Sequence, residues 1–344
     1  MNGPALPLSG PRDEYILPLR WADDSALTEL VSYLEGLCRW IPVTVVDGSP
    51  EELFNRHAAQ FPAAVNHLRP AQGGEGNGKV SAVLTAVRLS RADRLVIADD
   101  DVRYTHEALT AVIACLDSAD VVRPQNYYSA WPWHAYWDTA RTLINRAVTG
   151  DFPGTLAVRR AALEATGGYD AVLFENLELI RTVTAAGGRE HHAPALFVAR
   201  TPPTVRHFLR QRIRHAYDDF AQPERLAIEL ALLPLLAGLL CQPVRRRIPS
   251  LMAAAVAAVA LAETGRRRDH GRDVFPFRSV LFAPLWVLER AVCVWIALAL
   301  RRGGGVRYAG TRLETAAHSA ADLRLRHEGK IRPVPSASPD RKHP

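Results

Sequence analysis

An apolar run, Leu95-Val96-Ile97-Ala98, leads straight into Asp99-Asp100-Asp101. Three adjacent carboxylates repel one another unless a cation sits among them, and hard oxygen ligands of this kind suit Mg²⁺ or Mn²⁺ bound together with substrate phosphates. A solvated acidic turn capping the next helix is the alternative for the same residues. The buried-type strand in front of them favours a metal held by Asp99 and Asp101. Asp47 ends a second apolar run, Val43-Thr44-Val45-Val46. Ligands bind outside the carboxyl ends of strands in open α/β sheets, so an acid at this point is placed to hydrogen-bond a base or ribose.

Two other stretches invite wrong readings. Gly73-Gly74-Glu75-Gly76-Asn77-Gly78-Lys79 fits the GxxxxGK part of a phosphate-binding loop, but Val80 stands where a Ser or Thr must ligate Mg²⁺ and no strand precedes Gly73. A loop delivering Lys79 to a phosphate is the better reading, with an uninvolved surface loop as the alternative. His191-His192 are neighbours on a strand and point to opposite faces, so they do not chelate one ion and are structural.

The elements that must position these groups follow from the spacing of apolar residues. Between Glu14 and Ala199 short apolar runs alternate with helical patterns, the grammar of a mostly parallel α/β sheet flanked by helices. The runs are 15–19, 43–46, 95–98, 121–122 and 156–158. Val80, Val83, Leu84 and Val87 recur at helical spacing. Ser49-Pro50-Glu51-Glu52 reads as a helix start, with Ser as N-cap, Pro at the first helical position and Glu closing a capping box. After Pro223 the grammar changes to apolar stretches at 226–240, 248–262 and 279–300, separated by Arg245-Arg246-Arg247 and Arg266-Arg267-Arg268. The expected units are a loose N-terminus over 1–13, a catalytic domain over 14–223, an apolar helical region over 224–310 and a basic, mostly flexible tail over 311–344.

With 344 residues, 48% hydrophobic and 23% charged, the chain is long enough to bury a large core, and its formal charge of +6 favours anionic partners. Cys38, Cys115, Cys241 and Cys293 are far apart with no CxxC pair, and no cleavable apolar segment opens the sequence. They read as reduced thiols of a cytosolic chain.

Taken in order, these pieces resemble the family-2, inverting glycosyltransferases of the GT-A type, over about residues 15–220. In that family a first strand ends in a proline-containing segment, matched by Ile16-Leu17-Pro18-Leu19, and a second ends in a base-contacting acid, matched by Asp47. Gly78-Lys79 then precedes a helix, and Asp99-Asp100-Asp101 matches the DxD motif. Gly154 through Arg159-Arg160, followed by Gly167-Gly168-Tyr169-Asp170, is similar to a stretch near the acceptor site. Gln211-Arg212-Ile213-Arg214-His215 resembles Gln-x-x-Arg-Trp with His in place of Trp.

The resemblance implies a three-layer sheet, Mg²⁺ or Mn²⁺ as cofactor, and a nucleotide-sugar donor, here expected to be a UDP-sugar held by Pro18, Asp47, Lys79, Asp99, Gln211 and Arg214. It implies no nucleic-acid partner. The family carries Glu-Asp where this chain has Phe174-Glu175-Asn176-Leu177-Glu178, and Asn176 takes no proton at neutral pH. Glu175 and Glu178, three apart on one helical face, are therefore the candidate bases, or both merely acidify a helix N-terminus. Loss of the Trp favours adding one sugar rather than many.

Trp131-Pro132-Trp133-His134-Ala135-Tyr136-Trp137 offers rings for sugars or a membrane interface, or for ordinary core packing. Glu229, Glu289-Arg290 and internal prolines leave none of the apolar stretches a clean span. Helices lying on an anionic membrane surface, with the catalytic domain on the cytoplasmic side and a lipid or glycan acceptor, fit better. A soluble helical cap, a sugar-phosphate nucleotidyltransferase, and an inactive nucleotide-binding protein at the membrane remain as alternatives.

Overall fold

The computed structural model describes residues 12–71, 77–308 and 311–331. Residues 1–11, residues 72–76 of the glycine-rich loop, Ala309, Gly310 and the tail from 332 onward lie outside the described residues.

The five apolar runs are strands, β1 (Asp13–Leu19), β2 (Val43–Asp47), β4 (Arg94–Ala98), β6 (Val121–Tyr128) and β7 (Thr155–Arg159), and three further strands join them, β3 (Val65–Leu68), β5 (Val102–Arg103) and β8 (Glu190–Arg200). They form one sheet in the order β3-β2-β1-β4-β7-β6-β8-β5. Helices α1 (Leu27–Leu37) and α4 (His106–Cys115) cover one face, and α3 (Gly78–Leu89), α6 (Arg160–Thr166) and α7 (Glu175–Ala185) the other. Helix α2 (Glu51–Gln60) follows β2. Alternate side chains of a strand point to opposite faces. Accordingly Tyr15, Leu17 and Leu19 of β1 pack with Leu30, Leu34 and Val112, while Ile16 packs with Val83, Ala86 and Leu163. Each fully buried Leu or Ile among them contributes about 1.5–3 kcal/mol relative to exposure.

The parallel half, β3-β2-β1-β4, matches the expectation, whereas β7 runs antiparallel to both β4 and β6. Its direction follows from the long α5 (Trp133–Val148), which carries the chain away from β6. Residues 149–154 then return at the carboxyl end of β4, where Asp99 N donates to Gly154 O at 2.8 Å. Strand β7 enters from that edge and runs back. Apolar runs encode burial and not direction, so this reversal is invisible in the sequence. The N-terminus of α2 also differs from expectation. Pro50 is the N-cap without a side-chain cap, because Ser49 Oγ accepts from Trp21 N at 2.8 Å.

Helix α8 (Val205–Asp218) leads through a 3-10 turn, Asp219–Ala221, to α9 (Pro223–Leu240), α10 (Val244–Arg267), α11 (Phe277–Leu281) and α12 (Ala283–Arg302). One side of this group is a true core: Ala140, Leu143 and Ile144 of α5 pack with Ala262, Phe275, Val280 and Trp286. A Cβ at Gly265 would stand 1.8 Å from Leu143 O, so α10 approaches α5 as closely as glycine permits. Buried ion pairs tie the group down, Arg290 to Asp219 at 2.7 Å and Arg212 to Asp138 at 2.8 Å. The other side exposes Ile248, Met252 and Val256 of α10 and Leu288, Val292, Trp295 and Ile296 of α12. Although no clean span was expected, α10 and α12 are both long and apolar enough to cross a membrane, by length and composition only.

The segment after a short hairpin, β9 (Val306–Tyr308) with β10 (Thr311–Leu313), is no loose tail as far as residue 331. Leu173 N donates to Thr315 O at 3.1 Å and Phe174 N to Ala316 O at 2.8 Å. Helix α13 (Ala320–His327) follows, and Ile331 joins the core beside α7, its N donating to Ala186 O at 2.9 Å.

Candidate functional site

The acidic turn sits where β4 ends, and each of its three carboxylates is held differently. Asp99 Oδ1 lies 2.5 Å from Lys79 Nζ, whose ammonium also lies 2.7 Å from Glu175 Oε1. Asp100 accepts from the Trp21 indole, and its carbonyl accepts from Arg103 Nη1 at 2.6 Å. Asp101 Oδ2 pairs with Arg200 Nε at 2.6 Å, while its Oδ1 is buried without a hydrogen-bond partner.

Lys79 is delivered by the N-terminus of α3, where Asn77 Oδ1 caps Lys79 N at 3.0 Å. Glu175 is the first residue of α7, where a carboxylate suits the helix dipole. Asn77 Nδ2 reaches Val172 O at 2.9 Å and Glu175 Oε2 at 3.4 Å, joining the two helix starts.

A second set of groups shapes the floor. Gly154 N donates to Asn126 Oδ1 at 2.7 Å, and Asn126 Nδ2 donates to Val198 O at 3.0 Å. Asn176 Nδ2 donates to Pro153 O at 2.8 Å. Asn176 is thus an amide donor that fixes the 153–154 turn.

The electrostatics are those of an acid cluster short of positive charge. Burial, together with the Asp99 charge, pushes the Asp100 carboxyl up despite the Trp21 hydrogen bond. Burial, with Asp99 and Asp100 adding to it, pushes Asp101 up to about 6 despite Arg200. A divalent cation fits this set: it would neutralise the mutual repulsion and take the unpartnered Asp101 Oδ1 and the partly exposed Asp99 carboxylate as oxygen ligands. Lys79 stays charged, since Asp99 and Glu175 outweigh the burial that opposes it.

The structure thus brings together Lys79, Asp99, Asp101 and Glu175, and it moves other expected residues away. Glu178 is fully buried in α7, accepting from His318 N at 2.8 Å and His318 Nδ1 at 2.7 Å. Its carboxylate is committed to the C-terminal segment, whose helix α13 packs against α7, and not to Lys79. With Asp170 and His318 it forms the one cluster of three or more such residues with metal-ligand spacing among the described residues, and its carboxylates are already paired with His318 and Arg326.

Asp47 is also fully buried. Its carboxylate accepts from His57 Nδ1 at 2.6 Å, His67 Nε2 at 3.2 Å and Ser49 N at 2.8 Å, so no free oxygen faces a base. His67 in turn stacks on Phe54, with Arg69 over the same ring. Pro18 is buried in β1 beyond the last β4 pairing at Ile16, where its missing N–H costs no ladder bond on that side. Gln211 meets His207 on its own helix. Arg214 lies near His207, His215 and Asp218. His215 is kept neutral by burial and by the Arg212 guanidinium.

Of the aromatic run, Trp131 and Trp137 pack into the α5–α12 core and Trp133 is exposed. Sequence reading missed Trp21 and Arg200, which reach the acid turn from a loop and from β8, and Asn126, which holds Gly154 behind it; the tryptophan just past the β1 end was the one available signal.

No protein-family model matches the chain, and no curated protein matches it. Among solved structures it is similar to the mannosyltransferase PcManGT from Pyrobaculum calidifontis in complex with GDP-Man and Mn²⁺, at 21% identity and a TM-score of 0.48, covering 84% of this chain and 88% of that one. It is also similar to glucosyl-3-phosphoglycerate synthase from Mycobacterium tuberculosis in complex with Mn²⁺, UDP and phosphoglyceric acid, at 16% identity and a TM-score of 0.40, covering 58% of this chain and 74% of that one. At these values the likeness assigns no residue role, substrate or partner to this chain.

Proposed function

We propose that the protein transfers a sugar from a nucleotide-diphosphate donor, a UDP-sugar in the first instance, to a lipid or glycan acceptor by a metal-dependent inverting displacement. The observation that carries this reading is the Lys79 ammonium held between Asp99 and Glu175 at the strand end where the buried Asp101 Oδ1 lacks a partner. Such a site wants one more cation and can release an ammonium to a phosphate.

Asp99 and Asp101 would hold Mg²⁺ or Mn²⁺. The ion's contribution, once bound, is to stabilise the charge that develops on the departing nucleoside diphosphate. Lys79 turns from Asp99 to a diphosphate oxygen, and Arg214 on α8, with Gln211 beside it, offers further donors to the same group. Asp47 orders the nucleoside end through His67 and His57. Glu175 and Asp218 are the carboxylates on the α7–α8 side for the acceptor's proton.

The apolar faces of α10 and α12, bordered by exposed Arg245, Arg246, Arg301 and Arg302, suit an anionic lipid surface that those arginines pair with while the apolar rows sink beneath the headgroups.

Thermal melting tests the donor site. UDP with Mn²⁺ should stabilise the parent, and Asp101→Asn should remove the Mn²⁺-dependent part of the shift. A parent that no nucleoside diphosphate stabilises sinks the transfer reading; equal shifts in both proteins sink the metal assignment alone.

A further inference from the structure

A transfer of this kind needs a proton acceptor, and the obvious position is occupied by Asn176, whose amide is committed as a donor to Pro153 O at 2.8 Å. Glu178 is sealed by His318. Glu175 is committed to the Lys79 ammonium at 2.7 Å.

We propose that Asp218, the last residue of α8, is the base that takes the acceptor's proton, a role that rests on the transfer reading above. Helix α8 shares a hydrophobic cluster with the start of α7: Ile213, Ala216 and Tyr217 belong to it together with Leu173, Phe174 and Leu177. Asp218 follows Tyr217 and lies four residues after Arg214, on the same helical face. Its Oδ1 is buried and has no hydrogen-bond partner, unlike the carboxylates of Glu175 and Glu178. The charged groups around it are Arg214 on its own helix, Asp219 beside it, Glu175 from α7 and Arg290 from α12. Burial, reinforced by Asp219 and Glu175 and opposed by Arg214 and Arg290, pushes the carboxyl up to about 7. A general base works best near the operating pH.

In the step itself the acceptor O–H bond breaks and its proton passes to the Asp218 carboxylate. The oxygen's electron pair forms the new bond to the anomeric carbon. The anomeric carbon–oxygen bond breaks with its electrons on the diphosphate, whose charge Lys79 and Arg214 help to offset.

The test uses the purified full chain with Mn²⁺ and, as probes, UDP-glucose and GDP-mannose, with water as the attacking hydroxyl and release of nucleoside diphosphate as readout. The parent rate should climb with pH and level off above about 7. Asp218→Asn should lose about two to four orders of magnitude, together with the pH limb, while the melting shift given by UDP or GDP with Mn²⁺ stays as in the parent. Glu175→Gln should keep the limb.

Stability supplies a readout independent of turnover. A carboxyl raised in the folded state contributes stability that is full below its unfolded value and is lost as pH rises through the folded one. Asp218→Asn should therefore melt progressively higher than the parent between pH 5 and 8, which also shows that the variant folds. Parent-like rate and pH profile in Asp218→Asn overturn the base assignment. Binding of nucleotide without turnover in the parent does so too, leaving the donor site standing, and absence of any nucleotide binding overturns the transfer reading and the base with it.

Discussion

Gly154 lies directly against Asp99: a Cβ built on this glycine would stand 2.5 Å from Asp99 Oδ2, while the Gly154 carbonyl accepts from Asp99 N at 2.8 Å. One face of the acid turn is thus shaped by the absence of a side chain on β7's approach. Gly154→Ala should keep the fold, because the far end of Asp99 can swing aside, but it should misplace that carboxylate. Mn²⁺-dependent stabilisation by UDP should drop sharply while the melting point without ligand moves little. A full-sized UDP shift in the alanine variant would show that the contact is idle.

Lys79→Met should leave the Asp99 and Glu175 carboxylates, both only partly exposed, without their shared counter-charge. The expected loss is about 2–3 kcal/mol at pH 7, at the low end for a buried pair because of that exposure. Saturating Mn²⁺ should recover part of it. Chemical denaturation with and without Mn²⁺ measures both; equal losses in the two conditions would mean that Lys79 only packs.

Asp47→Asn should destabilise by about 2–4 kcal/mol at pH 7. Burial opposes the Asp47 charge, but hydrogen bonds from His67, His57 and Ser49 prevail and hold the carboxyl well below the usual carboxylate range. A depressed carboxyl contributes stability above its unfolded value that is lost as pH falls through the folded one. The gap between parent and variant should accordingly close in acid. A gap that stays constant down to pH 2 refutes the linkage.

Val292→Glu with Ile296→Glu places charge on the exposed face of α12, where these side chains are 50% and 40% exposed. Sedimentation with phosphatidylglycerol vesicles should fall at least tenfold while the melting point is unchanged. Equal recovery of parent and variant with the vesicles removes the lipid-surface proposal.

The sheet, the acid turn and the pairing partners on α3 and α7 are legible in the sequence because each is a local signal: an apolar run, a carboxylate triplet, a Gly-Lys at a helix start. The direction of β7 is not, since hydrophobicity records burial alone. Strand β8 escapes as well, its first half reading Glu190-His191-His192 with Pro194 inside, polar enough to pass for a loop. Ser49 looked like a helix cap because its neighbours fit one, but the Trp21 amide competed for the same oxygen. The strand-end position of Asp47 and the helix-start position of Glu178 suggest functional carboxylates, but position in sequence does not disclose whether a carboxylate faces a cleft or a histidine. Asp218 carried no motif at all.

Residues 315–331 cross back from the apolar helices to lie along α7, giving that helix backbone bonds at Leu173 and Phe174 and supplying His318 to Glu178. The helical group is therefore a spliced-in excursion anchored at two points, not an appendage hung from one. A fragment cut at residue 223 would bare the Leu173–Leu177 surface and strand the Glu178 charge in an apolar setting, beside the very turn that presents Glu175. Soluble expression of the sheet half alone should yield an unstable product, and separating membrane contact from catalysis calls for point changes on the outer helix faces with both seams intact.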